Sequence, residues 1–298
     1  MRPGWLAVGV GLSLLASAVR TRGWLEAVRA ANSGGAVRYR DVLAAYFSGA
    51  GVNGLLPGRA GDAIKLAALR RRTPELPYST LAATLAPPAL VESAFSAALL
   101  AWALASGLFP LALLRQGSDL FGDRLPLLLA GLAAVALLAC LAVRRLPQLA
   151  ARLRRGFAIM GSPSRLVTGV VLWQLAARAI RLLAIAALLA AFSLPLAPAT
   201  AALVMVVQGA TPSLGAATTP LRALTLAYSF PHAAGQHISI AHAAEFLVGT
   251  QLALALANLA LALAIVALGL RSISPRAWPR ELHQVVAALR PAPRRTPA

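Results

Sequence analysis

The sequence predicts an all-α, polytopic integral membrane protein built as a helical bundle. Three observations support this prediction: 59% of the 298 residues are hydrophobic, only 12% are charged, and the mean hydropathy is +0.72. The apolar runs are rich in Ala, Leu and Val, without the alternation of apolar and polar residues that marks strands of a membrane barrel. Runs of about 20 apolar residues are long enough to cross a bilayer as helices.

The charge distribution agrees with a membrane protein. The formal net charge is +19, from 28 Lys and Arg against 9 Asp and Glu, and the cations lie at the ends of the apolar runs. Membrane proteins concentrate Lys and Arg in their cytoplasmic loops, and such clusters also attract anionic head groups. We therefore predict no nucleic-acid partner. The one cysteine, Cys140, lies inside an apolar run and offers no disulfide.

The first apolar run, residues 5–19, predicts a rather short first helix that ends before a basic cytoplasmic segment from Arg20 to Arg40. The alternative is a cleaved signal peptide, because the run ends in small residues at Ala18. The next run, residues 41–57, is short and contains four Gly or Pro residues toward its end. Because basic residues flank it on both sides, we expect a re-entrant hairpin that enters and leaves on the cytoplasmic side.

The following elements alternate in direction. Residues 81–109 predict a span that leaves the cytoplasm, with a kink at Pro87-Pro88. The remaining elements are an external loop at 110–126, an inward span at 127–143, a basic segment at 144–165 with an amphipathic helix on the head groups, an outward span at 166–192, an interrupted segment at 199–230 and an inward span at 241–270. For these directions to agree, the segment at 199–230 has to enter from outside.

These elements predict one membrane domain, residues 1–275, in two halves at about 41–143 and 166–270. Residues 276–298 form a basic, Pro-rich tail that we place in the cytoplasm.

A short motif occurs once in each half. Both copies have an amide side chain, a glycine next to it, a proline four residues on, and another glycine soon after. The copies are Asn53, Gly54, Pro57 and Gly61, and Gln208, Gly209, Pro212 and Gly215. Two interrupted apolar segments in corresponding halves are typical of an inverted repeat with a binding site at the membrane midplane. Glu92 lies 35 residues after Pro57, and Glu245 lies 33 after Pro212, which adds a second correspondence.

The first motif suits an anion. A helix that restarts near Arg59 to Asp62 would direct free N–H groups and the positive end of its dipole at a bound group. Arg59 and Lys65 add charge suited to phosphate. The alternative is that these cations only mark the cytoplasmic side, as the run from Arg70 to Arg72 does.

Two arginines lie in the middle of a span. Arg178 and Arg181 are three residues apart and therefore share a helix face. An unpaired charge there costs at least about 2.5–3.5 kcal/mol, so we expect Glu92 and Glu245 as partners. Either these groups recognise a charged head group or couple protons, or they form an ion-pair network that only holds the bundle together. Arg222 is the only cation between residues 199 and 230.

The sequence contains no signature of a nucleotide loop, a zincin or a nucleophilic enzyme. His242 and Glu245 share a helix face, which is a weak metal signal, and we favour histidines without a metal. We therefore predict no catalytic residue, no metal and no cofactor. The predicted substrate-binding residues are Asn53, Pro57, Gly58, Arg59, Gly61, Asp62, Lys65, Glu92, Arg178, Arg181, Gln208, Pro212, Gly215, Arg222 and Glu245.

With these residues the chain resembles the membrane domain of the lysylphosphatidylglycerol synthase/flippase-like family. The residues that match the first family motif are Asn53, Leu56-Pro57-Gly58-Arg59, Gly61, Asp62 and Lys65. Glu92 takes a second acidic position, although Ser93 stands where an arginine is usual. In the second motif Pro212 fits, while Ser213 replaces a glycine.

The resemblance implies a flippase-like protein of the bacterial inner membrane that translocates a lipid or a lipid-linked head group. Its partner would be a membrane lipid, anionic or phosphate-bearing. We expect no soluble aminoacyltransferase domain in this chain, so the resemblance does not imply synthesis of a lysyl-lipid. The alternative is a non-transporting partner that presents lipid to a separate glycosyl- or aminoacyltransferase.

Overall fold

The computed structural model describes residues 1–32, 37–53, 60–108, 147–210 and 219–270. Within these ranges the chain is helical, without strands. The helices are α1 (Pro3–Ala31), α2 (Tyr39–Asn53), α3 (Ala60–Arg70), α4 (Tyr78–Ala83), α5 (Ala86–Ala105), α6 (Pro147–Gly156), α7 (Pro163–Ala191), α8 (Pro198–Ala210), α9 (Thr219–Ala234) and α10 (Ile240–Leu270). The predicted loop at 110–126, the span at 127–143 and the tail at 276–298 lie outside the described residues.

Among the described residues, four stretches are long and apolar enough to cross a membrane: α1, the α4–α5 unit at Tyr78–Ala105, α7, and α10 over Ile240–Ile265. Each has at least the roughly 20 residues that a bilayer requires. The predicted all-α, polytopic membrane protein is therefore confirmed, and the predicted spans at 81–109, 166–192 and 241–270 correspond to helices.

The prediction of a short first helix was wrong. Helix α1 continues for 29 residues to Ala31, and its second half is helical although it is basic. Residues 20–31 contain a single helix breaker, Gly23, and most of the others are the good helix formers Ala, Leu, Arg and Glu. One face of this half is buried through Trp24, Leu25 and Val28. Packing of that apolar face stabilises the helix beyond the point at which the hydropathy falls.

The α4–α5 unit bends as the sequence predicts. Helix α4 ends at Ala83, and after two intervening residues α5 begins at Ala86, with Pro87 and Pro88 in its first turn. Proline is tolerated there because the first N–H groups of a helix have no intrahelical partner. At the other end, Gly107 has a φ of +70°, and the Leu108 N–H donates to the Ala103 carbonyl at 3.0 Å. This glycine-dependent cap ends α5.

The two interrupted segments form helix pairs at opposite ends of the bundle. We call α2 and α3 the first hairpin, and α8 and α9 the second hairpin; residues 54–59 and 211–218, between their helices, lie outside the described ranges. Helices α1 and α7 are antiparallel, because the Arg2 N–H donates to the Ala191 carbonyl at 2.7 Å while Gly23 faces Val170. The ends of α1 and α7 therefore define two opposite ends of the bundle.

Separate apolar cores hold the hairpins to these ends. The first hairpin packs on the second half of α1 through Val42, Ala45 and Leu69. The second hairpin packs around Phe192, at the end of α7, through residues that include Leu203 and Phe230. The chain thus enters the two hairpins from opposite ends, as the predicted directions require.

The predicted amphipathic helix is present as α6. It contacts α4, where the Thr80 hydroxyl donates to the Arg152 carbonyl at 3.2 Å and Gly156 packs against Ala83. The side chains of Arg152, Arg154 and Arg155 are exposed. Helix α6 therefore presents a basic face at the first-hairpin end of the bundle.

Candidate functional site

The first motif closes the first hairpin. The Gly61 N–H at the start of α3 donates to Asn53 Oδ1 at the end of α2, at 2.7 Å. Next to this bond the backbones of α2 and α3 are in contact. A Cβ on Gly61 would overlap the Gly49 carbonyl oxygen and lie 2.6 Å from Asn53 Oδ1. Only glycine permits this approach. The amide and glycine of the first motif therefore meet, whereas Pro57, Gly58 and Arg59 lie outside the described residues.

Lys65 and Asp62 form a charged pair on α3. Their Nζ and Oδ1 atoms are 2.7 Å apart, and the ammonium also lies 4.8 Å from the centre of the Tyr46 ring on α2. The Lys65 side chain is only 13% exposed. Its charge is therefore held between the two helices of the hairpin, with a carboxylate and an aromatic face as partners.

Glu92 pairs with two arginines from two other helices. Its Oε2 forms an ion pair with the Arg20 guanidinium, and its Oε1 lies 3.9 Å from Arg178 Nη2. Arg178 also donates to the Glu92 backbone carbonyl and to Ser96 Oγ, both at 2.9 Å. The predicted contact between Arg178 and Glu92 is present, and Arg20 and Ser96 complete it.

The second hairpin contacts the same face of α7 through the amide side chain of Gln208. Arg181 Nη2 donates to Gln208 Oε1 at 3.2 Å, and Arg178 Nη1 lies 3.8 Å from Met205 Sδ. The two arginines share one face of α7, as their spacing predicts. That face therefore joins α5 to the second hairpin. Pro212 and Gly215 lie outside the described residues.

These groups form one polar cluster. We define it by Arg20, Asp62, Lys65, Glu92, Arg178, Arg181 and Gln208. Asp62 and Tyr46 lie within electrostatic range of Arg20, and Arg20 and Glu92 lie within range of Arg181, so the first hairpin is linked to the rest. Four cations face two carboxylates, which leaves an excess of two positive charges.

Its three arginines and Glu92 lie within spans, its other members lie on the two hairpins, and the cluster is not sealed by the described part of the protein. Arg20 and Glu92 keep 39% and 34% of their side-chain surfaces exposed. Charges at this depth are costly unless they face water, a polar cavity or a counter-ion. The exposed and unbalanced charge is therefore suited to an anionic ligand such as a phosphate group.

Two predicted residues lie elsewhere. Glu245 is exposed and forms no ion pair with the described residues, so its expected pairing with the arginines of α7 is absent there. His242, three residues earlier, contacts the carbonyl of Phe192, the residue that follows α7, and Arg181 lies eleven residues, or about 16 Å, before Phe192. Glu245 therefore lies too far from Arg181 along the bundle to form the predicted ion pair. Arg222 is buried within α9.

The sequence prediction missed Arg20, Tyr46 and Ser96. Arg20 was assigned to a loop because the first helix was ended at residue 19. A helical continuation through residues 20–31, which lack proline, was the signal that could have placed it within a span. Ser96 lies one turn after Glu92, on the same face of α5, so helical spacing could have paired the two.

Comparison with known proteins gives one family. A family model described as the lysylphosphatidylglycerol synthase TM region matches residues 1–231. The matched range contains every member of the polar cluster and both motif amides. No curated protein and no solved structure matches the chain.

Proposed function

Because the chain belongs to the lysylphosphatidylglycerol synthase TM-region family, we propose that it moves an anionic amphipathic lipid, or a polyprenyl-linked head group, between membrane leaflets. The family links the chain to a membrane domain of lipid modification or transport. The step to translocation rests on the polar cluster.

One observation carries the proposal: the cluster holds two more cations than carboxylates, at mid-span, with part of its charge exposed. The phosphodiester of an anionic phospholipid carries one negative charge, so it would offset part of that excess and accept charge-assisted hydrogen bonds from Arg178 and Arg181. A zwitterionic head group supplies less net negative charge. The expected substrates are therefore anionic lipids.

Glu92 has the role of a counter-ion in this proposal. Without substrate it holds Arg20 and Arg178, and a phosphate competes for the same guanidinium groups. Asp62 stands in the same relation to Lys65.

The opposed hairpins supply the second part of the mechanism. The cluster includes Asp62 and Lys65 from the first hairpin and Gln208 from the second, and the two hairpins pack at opposite ends of the bundle. Movement of either hairpin would expose the cluster to one leaflet at a time, as in transporters built from inverted repeats. No covalent step is required, so we assign the chain a transport role without catalysis. We place it in the bacterial inner membrane, with the first-hairpin end and the C-terminus in the cytoplasm.

Leaflet exchange in liposomes tests the proposal. Purified full-length protein is reconstituted with trace fluorescent phosphatidylglycerol or phosphatidylcholine, and a membrane-impermeant quencher reports the outer-leaflet fraction over time. The expected result is faster exchange of the anionic lipid than in protein-free liposomes, with little effect on phosphatidylcholine. No acceleration for any lipid of a bacterial extract would contradict the proposal.

A second candidate is presentation of lipid to a separate transferase, because the family description itself names a synthase. The exposed arginines of α6 offer a basic surface at the expected cytoplasmic end for such a partner. Loss of a lipid modification in cells lacking the protein, together with no leaflet exchange by the purified chain, would favour this candidate.

A further inference from the structure

A small groove between α5 and α8 adjoins the polar cluster. It is lined by Ser96, Ala97, Leu100, Val206 and Gly209 and has a volume of about 120 Å³. Apart from the Ser96 hydroxyl, its side chains are apolar. A small-molecule site usually needs roughly 300–1,000 Å³, so the groove suits a segment of a chain and not a whole ligand.

Ser96 joins the groove to the cluster. Its hydroxyl accepts a hydrogen bond from Arg178 at 2.9 Å, and the same residue lines the groove. Glu92, Ser96 and Leu100 follow one another at intervals of four along one face of α5. That face changes from a carboxylate to a hydroxyl to an aliphatic side chain, the order of polarity in a phospholipid from head group to tail.

On the second hairpin, too, a residue in the polar cluster is followed by one that lines the apolar groove. Gln208 faces Arg181 in the cluster, and the next residue, Gly209, lines the groove. Gly209 has no Cβ, and among the described residues one built there would meet only Ser96 Oγ, at 3.8 Å. The space beside this glycine is therefore open, and the helix gains nothing from a glycine at that point.

We propose that the α5–α8 groove holds one acyl chain of a phospholipid whose phosphate lies on the polar cluster. This inference rests on the proposed function for the identity of the head group. The cations select the phosphate, and the groove keeps the first part of the chain beside Leu100 and Val206. The substrate class is then a phosphate-bearing lipid with an attached alkyl chain, because a free phosphate or a water-soluble head group would leave the groove unfilled.

Photocrosslinking tests the groove directly. Full-length protein is reconstituted with phosphatidylglycerol that carries a diazirine on one acyl chain, and the adducts are mapped by peptide mass spectrometry. Adducts are expected at residues 97–100 and 206–209. Exposed lipid-facing residues of α10, such as Leu252 and Leu256, give the internal reference for non-specific labelling.

Gly209→Leu is the decisive variant, since its side chain would fill the groove without a backbone clash. Groove adducts should fall about tenfold relative to those on α10, the effect of excluding about two methylene groups from an apolar site. Gly11→Leu is the matched control, because nothing lies within 4 Å of a Cβ there, and its adduct pattern should equal that of the wild type. If Gly209→Leu does not fold, Leu100→Trp fills the groove from α5.

The head-group part is tested with a diacylglycerol probe that carries the same diazirine but no phosphate. Groove labelling should be at least about tenfold weaker, because the charge-assisted contacts are lost. Equal labelling by both probes, or unchanged groove adducts in Gly209→Leu, would overturn the inference.

Leaflet exchange measured on the same liposomes separates this inference from the proposed function. Groove adducts that Gly209→Leu removes, without any exchange by the wild type, would support the groove and overturn translocation. Lipid exchange by the wild type, with adducts on exposed residues such as those of α10 but none in the groove, would support translocation and overturn the groove.

Discussion

At the scale of single residues, Arg178 connects the Glu92 region of α5 to Met205 of the second hairpin. It donates to the Glu92 carbonyl and to Ser96, and it lies beside the Glu92 carboxylate and Met205. Arg178→Gln should slow exchange of phosphatidylglycerol about ten- to hundredfold, since a hydrogen bond to a charged group contributes about 1.5–3 kcal/mol. Arg178→Lys keeps the charge but loses the planar fork and should retain part of the rate.

Folding has to be separated from transport in this comparison. Thermal unfolding in detergent checks that Arg178→Gln and Arg178→Lys both fold, so that a difference in exchange rate between them can be assigned to transport. Exchange at the wild-type rate by a folded Arg178→Gln protein would remove this residue from substrate binding and leave it a structural role.

The pair of Arg20 and Glu92 makes a second prediction at this scale. The two side chains are 72 residues apart in sequence and form an ion pair between α1 and α5. A double-mutant cycle with Arg20→Gln and Glu92→Gln, followed by chemical unfolding in detergent, should give a coupling free energy of about 0.5–3 kcal/mol. The same cycle with Glu245→Gln in place of Glu92→Gln is the control and should give additive effects. Equal coupling in both cycles would contradict the observed pairing.

The cluster was partly predictable from the sequence. Helical spacing places Arg178 and Arg181 on one face, and the cost of a buried charge predicts an acidic partner for them. The choice of Glu92 over Glu245 and the participation of Arg20 depend on how the helices are arranged along one another. Local sequence patterns do not report how far one helix is shifted along another. Glu245 was therefore predicted at the wrong depth, and Arg20 was missed.

At the scale of elements, the first hairpin depends on close contact between α2 and α3. Gly61→Ala should destabilise the protein by about 1–3 kcal/mol, because its methyl group would overlap the Gly49 carbonyl and Asn53. Gly11→Ala, in open space on α1, should instead be neutral or stabilise the helix by up to about 1 kcal/mol. Chemical unfolding in detergent checks both. A Gly61→Ala protein as stable as Gly11→Ala would mean that the helices are not held this closely.

The elements also differ in how well the sequence predicted them. The bend at Pro87 and Pro88 follows from proline chemistry, which is local, and it lies where expected. The end of α1 was misplaced, because packing of Trp24 and Val28 extends the helix past the end of the apolar run. Hydropathy reports where lipid contacts the chain, whereas helix length also depends on contacts with other helices.

At the scale of the whole molecule, the account depends on two hairpins that enter from opposite sides of the membrane and meet at the polar cluster. In the structure they pack at opposite ends of the antiparallel pair α1 and α7. The inverted directions were predicted from charge at the ends of the spans. The proposed orientation, with the basic ends in the cytoplasm, predicts a cytoplasmic loop between α3 and α4 and an external loop between α9 and α10.

Side-specific thiol labelling tests this central claim most directly. In a Cys140→Ala background, single cysteines replace Glu75 in the first of these loops and Gln236 in the second, both exposed. An impermeant maleimide should label Gln236→Cys in intact cells, and Glu75→Cys only after the membrane is permeabilised. Labelling of both residues from the same side would contradict the opposed hairpins, and with them the alternating access on which the proposed lipid translocation depends.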